Sequence, residues 1–350
     1  MKRFTVVLMT LLLISLLCTP NLTKLAAAAE QKTTPKVTLR LSHQYPDSLK
    51  DDRVLLAHEY ARMVEEKSKG EIKINIYPAE SLFKANAAPE ALMTGTLDMC
   101  LIPMIYLAGK IPALNITLFP ALLRSRSEII AWKGKEIDKY LKNELLKNKL
   151  VELAWGSAGS AIGSTKKPII LPTDIKGTTS RVAGKYTEFL FNRQGAKLVS
   201  MSSAEVYTAL QQGILEVCSV APSSFVTFRY DEVIKFYNPY PLYINSCNVL
   251  MGKPSWDKLT KQQQEILLAC IEPAEQRVLP YAESVDEEVS KLYAQKGLKV
   301  HKPTVQEFKQ WEAAATETRN KFIKDYIGGE LLLRLADEAN AQYRAAHGTK

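Results

Sequence analysis

The chain is poor in the residues from which metal, redox and nucleophilic centres are built. Its four histidines, His43, His58, His301 and His347, are far apart, and no H-x-x-x-H or H-E-x-x-H occurs. None of the five cysteines forms a C-x-x-C pair. A zinc site needs clustered ligands, so no metal is read from local spacing, and only a centre assembled by folding would remain. Residues 176–185, KGTTSRVAGK, suggest a phosphate cradle. However, Gly177 and Gly184 are separated by six residues and Tyr186 follows Lys185, so the loop length and the magnesium-binding hydroxyl are both wrong. STKK at 164–167 offers S-x-x-K, but neither S-D-N nor K-T-G occurs, and WGSAGSAIG holds no G-x-S-x-G elbow. Basic residues are scattered rather than clustered, which argues against nucleic acid as a partner. Beyond the N-terminus no stretch approaches the roughly 20 apolar residues of a membrane span.

The N-terminus is a different matter. MKRFTVVLMTLLLISLLC pairs a basic head with an apolar run too short for a span. LAAAAE then supplies small residues at Ala27 and Ala29. This is a secretory signal peptide, residues 1–29, with cleavage expected after Ala29, and it places the mature chain in the periplasm or otherwise outside the cytoplasm. Cys18 raises the question of lipidation, but Leu17 precedes it where a small residue is wanted. Removing residues 1–29 deletes Lys2, Arg3 and Lys24 and no acid, so the net charge falls from +9 to +6. That surplus helps to attract anions. Cys100, Cys218, Cys247 and Cys270 remain and read as small buried apolar residues; the compartment permits a disulfide, but the spacing assigns none.

A 350-residue chain with 46% apolar and 24% charged residues fits two soluble domains. KVTLRLSHQYP (36–46) alternates as a strand entering a loop. DDRVLLAHEYARMVEEKSKG has helical apolar spacing at Val54, Leu55, Ala61, Met63 and Val64 and ends at Gly70. EIKINIYP and TLDMCLIP read as strands separated by the short helix APEALMTG. Residues 127–148 form an amphipathic helix before the strand KLVELAWG. A second α/β set follows: TTSRVAG, AKLVSM and ILEVCSV as strands, KYTEFLFNRQG and SAEVYTALQQG as helices. YINSCNVLMG (243–252) is again strand-like. Three helices are expected at about 258–295, 304–326 and 328–346, with GLKVHKP as a short strand between the first two. The βαβαβ order predicts an α/β fold with mostly parallel, helix-covered sheets. Two such lobes joined by crossing strands predict a ligand cleft beyond the strand C-termini.

Several of these segments share wording with a known family. LSHQYPDS, VEEKSKGEIKINIYPAESL, EALMTGTLDM, IPALNITLFPAL, KKPIILPTDIKGTTSRV and SSAEVYTALQQG, in this order and spacing, resemble the substrate-binding proteins of TRAP transporters, the DctP-type family. The similarity runs from about residue 36 to residue 325. It implies a two-lobed periplasmic-binding-protein fold of type II-like form, with hinge strands and a long helix spanning both lobes. Lobe I is expected at 36–156 plus about 246–286, and lobe II at 157–245 plus about 287–340. The resemblance implies a binding protein, not an enzyme, without a cofactor and by family default a monomer. It would capture a small organic anion, a carboxylate first of all, for ion-gradient-driven uptake through a small and a large membrane subunit. A receptor of the same fold that feeds a sensor, or one that takes a sulfonate or aromatic acid, remains the alternative.

In that family the Arg of KG-x-x-x-R meets the ligand carboxylate, which implies Arg181 here. Chemistry supports this reading independently: a strand of small residues lets a guanidinium project, and its planar fork matches a carboxylate through two parallel bonds. The competing reading is an ion pair with a nearby acid. A second family arginine is replaced here by Ser160 and Ala161, a ligand-binding Asn by Val220, and an Asn-His pair falls at Pro241-Leu242. The position of a Glu seen in some members falls near Asn86. The pocket is therefore expected to hold one anionic group at Arg181, with hydroxyls from Ser157 and Ser160 and walls from Trp155, Tyr106 and Phe225. His43 and Gln44, just past the first strand, complete the candidate set, with Asn86.

Overall fold

A computed structural model describes residues 36–348; the expected signal peptide lies outside them. Among the described residues, eleven strands form two sheets. They are β1 (Val37–Ser42), β2 (Ile72–Tyr77), β3 (Met99–Pro103), β4 (Leu150–Ala158), β5 (Ala161–Ser164), β6 (Thr179–Arg181), β7 (Lys197–Leu198), β8 (Val217–Val220), β9 (Phe236–Asn238), β10 (Asn245–Gly252) and β11 (Lys299–Val300). The first sheet has the order β2-β1-β3-β10-β4 and the second β11-β9-β5-β8-β6-β7. Each anchors one lobe.

The alternating segments became strands where alternation predicted them, but the sheets are mixed rather than mostly parallel. β1 runs parallel to β2 and β3, while β10 is antiparallel to both β3 and β4. In the second sheet β5 is antiparallel to β8 and β9, and β6 is parallel to β7 and β8. The cause is the route of the chain. β4 in the first sheet is followed directly by β5 in the second. The chain returns from β9 into β10 and so enters the first sheet from the opposite end. Strand periodicity carries no information about that direction.

The expected helix at 258–295 is two helices, Lys261–Ala269 and Ile271–Gln295, and a short third one, Lys253–Trp256, precedes them. Thr260 accepts from the Gln263 N–H and the Gln263 side chain reaches back to the Thr260 N–H, a capping box that starts a new helix. The last of the three bridges the lobes. Ala274 and Val278 sit in the apolar cluster of the first sheet with Leu41, Tyr60 and Val249. Val285, Val289 and Tyr293 sit with Phe225 and Tyr237 in the second lobe. Pro280 falls between the two groups and removes one backbone donor from the helix interior. The C-terminal helix Gly329–His347 does not join lobe II, where residues to about 340 were expected. Its Leu332, Leu333, Ala336 and Ala339 share a core with Trp132, Ile137 and Trp155 of the first lobe, because its apolar stripe finds the matching stripe of Glu136–Lys147 there. The four cysteines of the described residues are free and buried, as their apolar surroundings implied. Among the described residues no helix is long and apolar enough to cross a membrane.

Candidate functional site

A cavity of about 540 Å³ opens between the lobes, at the carboxyl ends of β6 and β8. Arg181 is the last residue of β6, held beside Cys218 of β8. Its side chain is only 6% exposed. Nε donates to the Met201 carbonyl at 3.0 Å and Nη1 to the Ser219 carbonyl at 3.4 Å. The same Ser219 carbonyl accepts from the Tyr243 hydroxyl at 2.9 Å, so neutral main-chain oxygens fix the guanidinium in place. No carboxylate among the described residues forms an ion pair with it, unlike Lys185 at the next helix start, which pairs with Asp325 at 2.6 Å. The acid partner weighed for Arg181 is absent. Glu188 stands on the cavity wall, where burial raises its pKa and the Arg181 cation opposes the rise. Glu205 is occupied at its own helix turn, its pKa lowered by the Ser202 N–H and hydroxyl.

The first lobe supplies the facing wall. β1 runs on into Gln44 and Tyr45, and β3 into a turn holding Tyr106. The Tyr106 hydroxyl donates to Gln44 Oε1 at 2.9 Å. Burial raises the pKa of Tyr106, and the nearby Arg181 cation pulls against that rise, which places a phenol of one lobe within the field of the guanidinium of the other. A second guanidinium, Arg53, lies at the start of helix Asp52–Lys67. It is clamped by Asp51 through Nε to Oδ1 at 2.8 Å and Nη2 to Oδ2 at 2.6 Å, and Nη2 also donates to Ser224 Oγ of the second lobe at 2.9 Å. The Tyr45 ring lies 3.9 Å from its guanidinium carbon. Ser200, Ser202, Ser203, Asn115, Asn245 and Lys185 add to the polar lining, and Val220, Leu118 and Ile105 to the apolar part. Gly184, at φ +87°, lets the chain turn from β6 into the next helix. A Cβ there would meet Ile105 and Leu118 side-chain atoms at 3.1 Å.

Of the sequence candidates, Arg181, Tyr106, Gln44 and Asn86 meet in this cavity. Five others lie elsewhere. Ser160 is buried between the crossing strands, where its Oγ accepts from the Tyr243 N–H at 3.1 Å and donates to the Tyr240 carbonyl at 3.4 Å; its hydroxyl is spent on the hinge. Ser157 lies on a separate small cavity with Trp155 and Glu275, and its carbonyl accepts from Arg126 Nη1 at 2.6 Å. Trp155 belongs to the first-lobe core. Phe225 packs edge-on against Tyr230, Tyr237 and Tyr293, in the space left by Gly163, where a Cβ would come within 2.5 Å of its ring. The cavity residue of that helix is its neighbour Ser224, so the expectation missed by one position of helical phase. His43 is buried beside the Tyr45 ring, and burial pushes its pKa down to about 4. It is neither a cavity residue nor a solvated loop residue.

The sequence reading missed Arg53, Asp51, Asn245 and Tyr243. One signal was available: YINSCNVLMG puts three polar residues, Asn245, Ser246 and Asn248, into a strand whose every residue is buried. Buried polar groups in a strand need partners or a role. Nothing local marks Arg53, whose position depends on how the helix docks.

Two α/β lobes, crossed by strands and by a bridging helix and enclosing a polar cavity with an unpaired guanidinium, define a solute-binding protein. Comparison with known proteins narrows the class. Residues 22–325 match the DctP profile, described as bacterial extracellular solute-binding protein, family 7, and the chain belongs to that family. A solute-binding protein of Albidiferax ferrireducens is 33% identical over 294 residues, covering 82% of this chain and 86% of the relative. The C4-dicarboxylate-binding periplasmic protein DctP of Rhodobacter capsulatus is 26% identical, covering 85% and 89%. The crystal structure of a TRAP periplasmic solute-binding protein from Rhodoferax ferrireducens with bound malonate superposes with a TM-score of 0.84 at 31% identity, covering 89% of this chain and all of that one.

Proposed function

We propose that this protein works outside the cytoplasm as the solute receptor of a TRAP transporter, and that it captures a small organic acid through a carboxylate held by Arg181. The observation that carries the reading is the state of Arg181: buried at a strand end, facing a cavity, fixed by two carbonyls and left without a counter-ion. A buried charge without a partner is costly, and a ligand carboxylate supplies both the charge and the bidentate geometry that a guanidinium matches. Relatives with carboxylate ligands support the class: one is named for C4-dicarboxylates, and another holds malonate.

Capture follows from the two-lobed build. The lobes contact each other across the cleft through Arg53 and Ser224, and the crossing strands and the helix around Pro280 connect them. A ligand that bridges Arg181 and the first-lobe wall stabilises the closed arrangement by its differential contacts with the two states. The closed face is then what the small and large membrane subunits recognise. This role requires no cofactor and no turnover of the ligand.

The test is a thermal-shift screen of the mature chain against small organic acids, followed by calorimetry on the hits. Arg181→Ala should abolish the ligand-induced shift while the apo protein stays folded, with a loss of about 2–5 kcal/mol of binding. Arg181→Lys should recover part of it, since a lysine keeps the charge without the fork. A ligand shift unchanged by Arg181→Ala would refute the anchor.

A further inference from the structure

We propose that the cleft selects ligands with a single carboxylate, and that Asp51 is the residue that excludes a second one. The inference rests on carboxylate capture at Arg181 and specifies the class of acid. Two guanidiniums line the cavity, one from each lobe. They differ in one respect: Arg181 has no carboxylate, and Arg53 has one built in. Both Asp51 oxygens are engaged by Arg53, at 2.8 and 2.6 Å. The remaining reach of Nη2 goes to Ser224 Oγ, and one face of the guanidinium is covered by Tyr45. Asp51 is fully buried and Arg53 is 3% exposed, so water does not screen the pair. Asp51 also accepts from the Arg53 N–H at 3.1 Å, which fixes the carboxylate as the cap of its helix.

A second ligand carboxylate approaching Arg53 would therefore meet an acid already in the bidentate position. Two carboxylates at one buried site repel strongly, and one of them must give up its charge. The first-lobe wall offers a neutral polar surface instead. Asn245 marks what that surface accepts. It is buried and lines the cavity, and its Oδ1 has no hydrogen-bond partner. An approaching hydroxyl or amide N–H supplies the donor that this oxygen lacks, and a carboxylate does not. The ligand class is thus a monocarboxylic acid carrying a hydroxyl or amide group away from its carboxylate. This sets the chain apart from the malonate-bound relative.

The experiment compares matched acids that differ only in the second group: malonate with malonamate, succinate with succinamate, and glutarate with glutaramate, by calorimetry on the mature chain. At least one half-amide should bind ten-fold or more tightly than its diacid. Asp51→Asn keeps the helix cap but leaves the Arg53 cation uncompensated, and should move that ratio at least ten-fold toward the diacid. A diacid that binds wild type as tightly as its half-amide overturns the inference. So does an unmoved ratio in folded Asp51→Asn; if that variant does not fold, the wild-type ratios alone decide. Should all six probes be silent while the wider acid screen gives an Arg181-dependent ligand, that ligand and its doubly carboxylated counterpart replace the pairs under the same criterion. Silence of the whole screen refutes carboxylate capture itself, and this inference with it.

Discussion

The Asp51–Arg53 pair sets up a stability prediction with a definite magnitude. Arg53→Met removes the cation and keeps much of the side-chain volume, leaving the Asp51 carboxylate fully buried without its two charge-assisted bonds. Breaking a buried ion pair at one end costs about 3–5 kcal/mol, because the surviving charge is uncompensated. At the usual unfolding entropy per residue, a fold of this length should lose roughly 5–8 °C in melting temperature. Removing both charges should be much milder. In Asp51→Asn/Arg53→Met no buried ion is left, and Asn still serves as a helix cap. The cycle of wild type, two single variants and the double variant, followed by urea unfolding with circular dichroism, should give a coupling of at least about 2 kcal/mol. Additive losses, or an Arg53→Met loss below about 1 kcal/mol, would show that Asp51 does not depend on Arg53 and that the pair is not the dry, fixed unit described here.

Burial holds the His43 pKa near 4 and lifts that of Glu152 to about 7, and the two act oppositely on pH dependence. Unfolded His43 binds a proton below about pH 6.5 that the folded side chain refuses down to about pH 4, so its contribution favours higher pH across that window, by about 3 kcal/mol in total. Folded Glu152 keeps its proton up to about pH 7 while the unfolded chain releases it near 4.5, so its contribution favours lower pH. Relative to wild type, His43→Gln should flatten or reverse any rise of stability between pH 4.5 and 6.5, and Glu152→Gln should steepen it; urea titrations at the two pH values check both, and slopes that shift in the same direction would contradict the assignments. Phe225→Ala empties the space between Gly163, Tyr230, Tyr237 and Tyr293 and should cost about 3–5 kcal/mol in the same unfolding assay. Weakened ligand binding at unchanged stability would instead make Phe225 a cavity wall. Gly252→Ala puts a Cβ 2.2 Å from the Leu92 carbonyl oxygen without any demand on backbone angles, and should cost about 1–3 kcal/mol by overpacking; a neutral result would mean that helix Ala88–Thr94 shifts freely against β10.

Most of the elements were legible because their signals are local. Alternation marked β1 and β2, apolar strand-like runs marked β3, β8 and β10, and the glycine punctuation of KGTTSRVAGK placed Arg181 on a short strand with a helix after it. Where a signal was local but unread, the error was small: the Thr260–Gln263 capping box lies within four residues and starts the helix at Lys261 rather than near 258. The assignment of helix Gly329–His347 to a lobe was of a different kind. Its stripe of leucines and alanines states that it must bury a face, and says nothing about which of two cores will receive it.

The site divides along the same line. Sequence by itself determined that Arg181 stands on a strand among small residues, that Gly184 ends that segment, and that family-typical partners are replaced by Ser160 and Val220. Only the tertiary structure decided that Arg181 lacks a carboxylate and that Ser160 is consumed by the hinge at Tyr240 and Tyr243. It also turned Ser224 rather than Phe225 toward the cavity, and brought Arg53 to the cavity already neutralised by Asp51. The reason is physical. Backbone preference and periodicity are properties of neighbours in the chain, whereas a charge is free or satisfied according to groups that lie far along the sequence. Ser224, 171 residues from Arg53, and the carbonyls of Met201 and Ser219 around Arg181 meet their partners only when the two lobes are folded against each other.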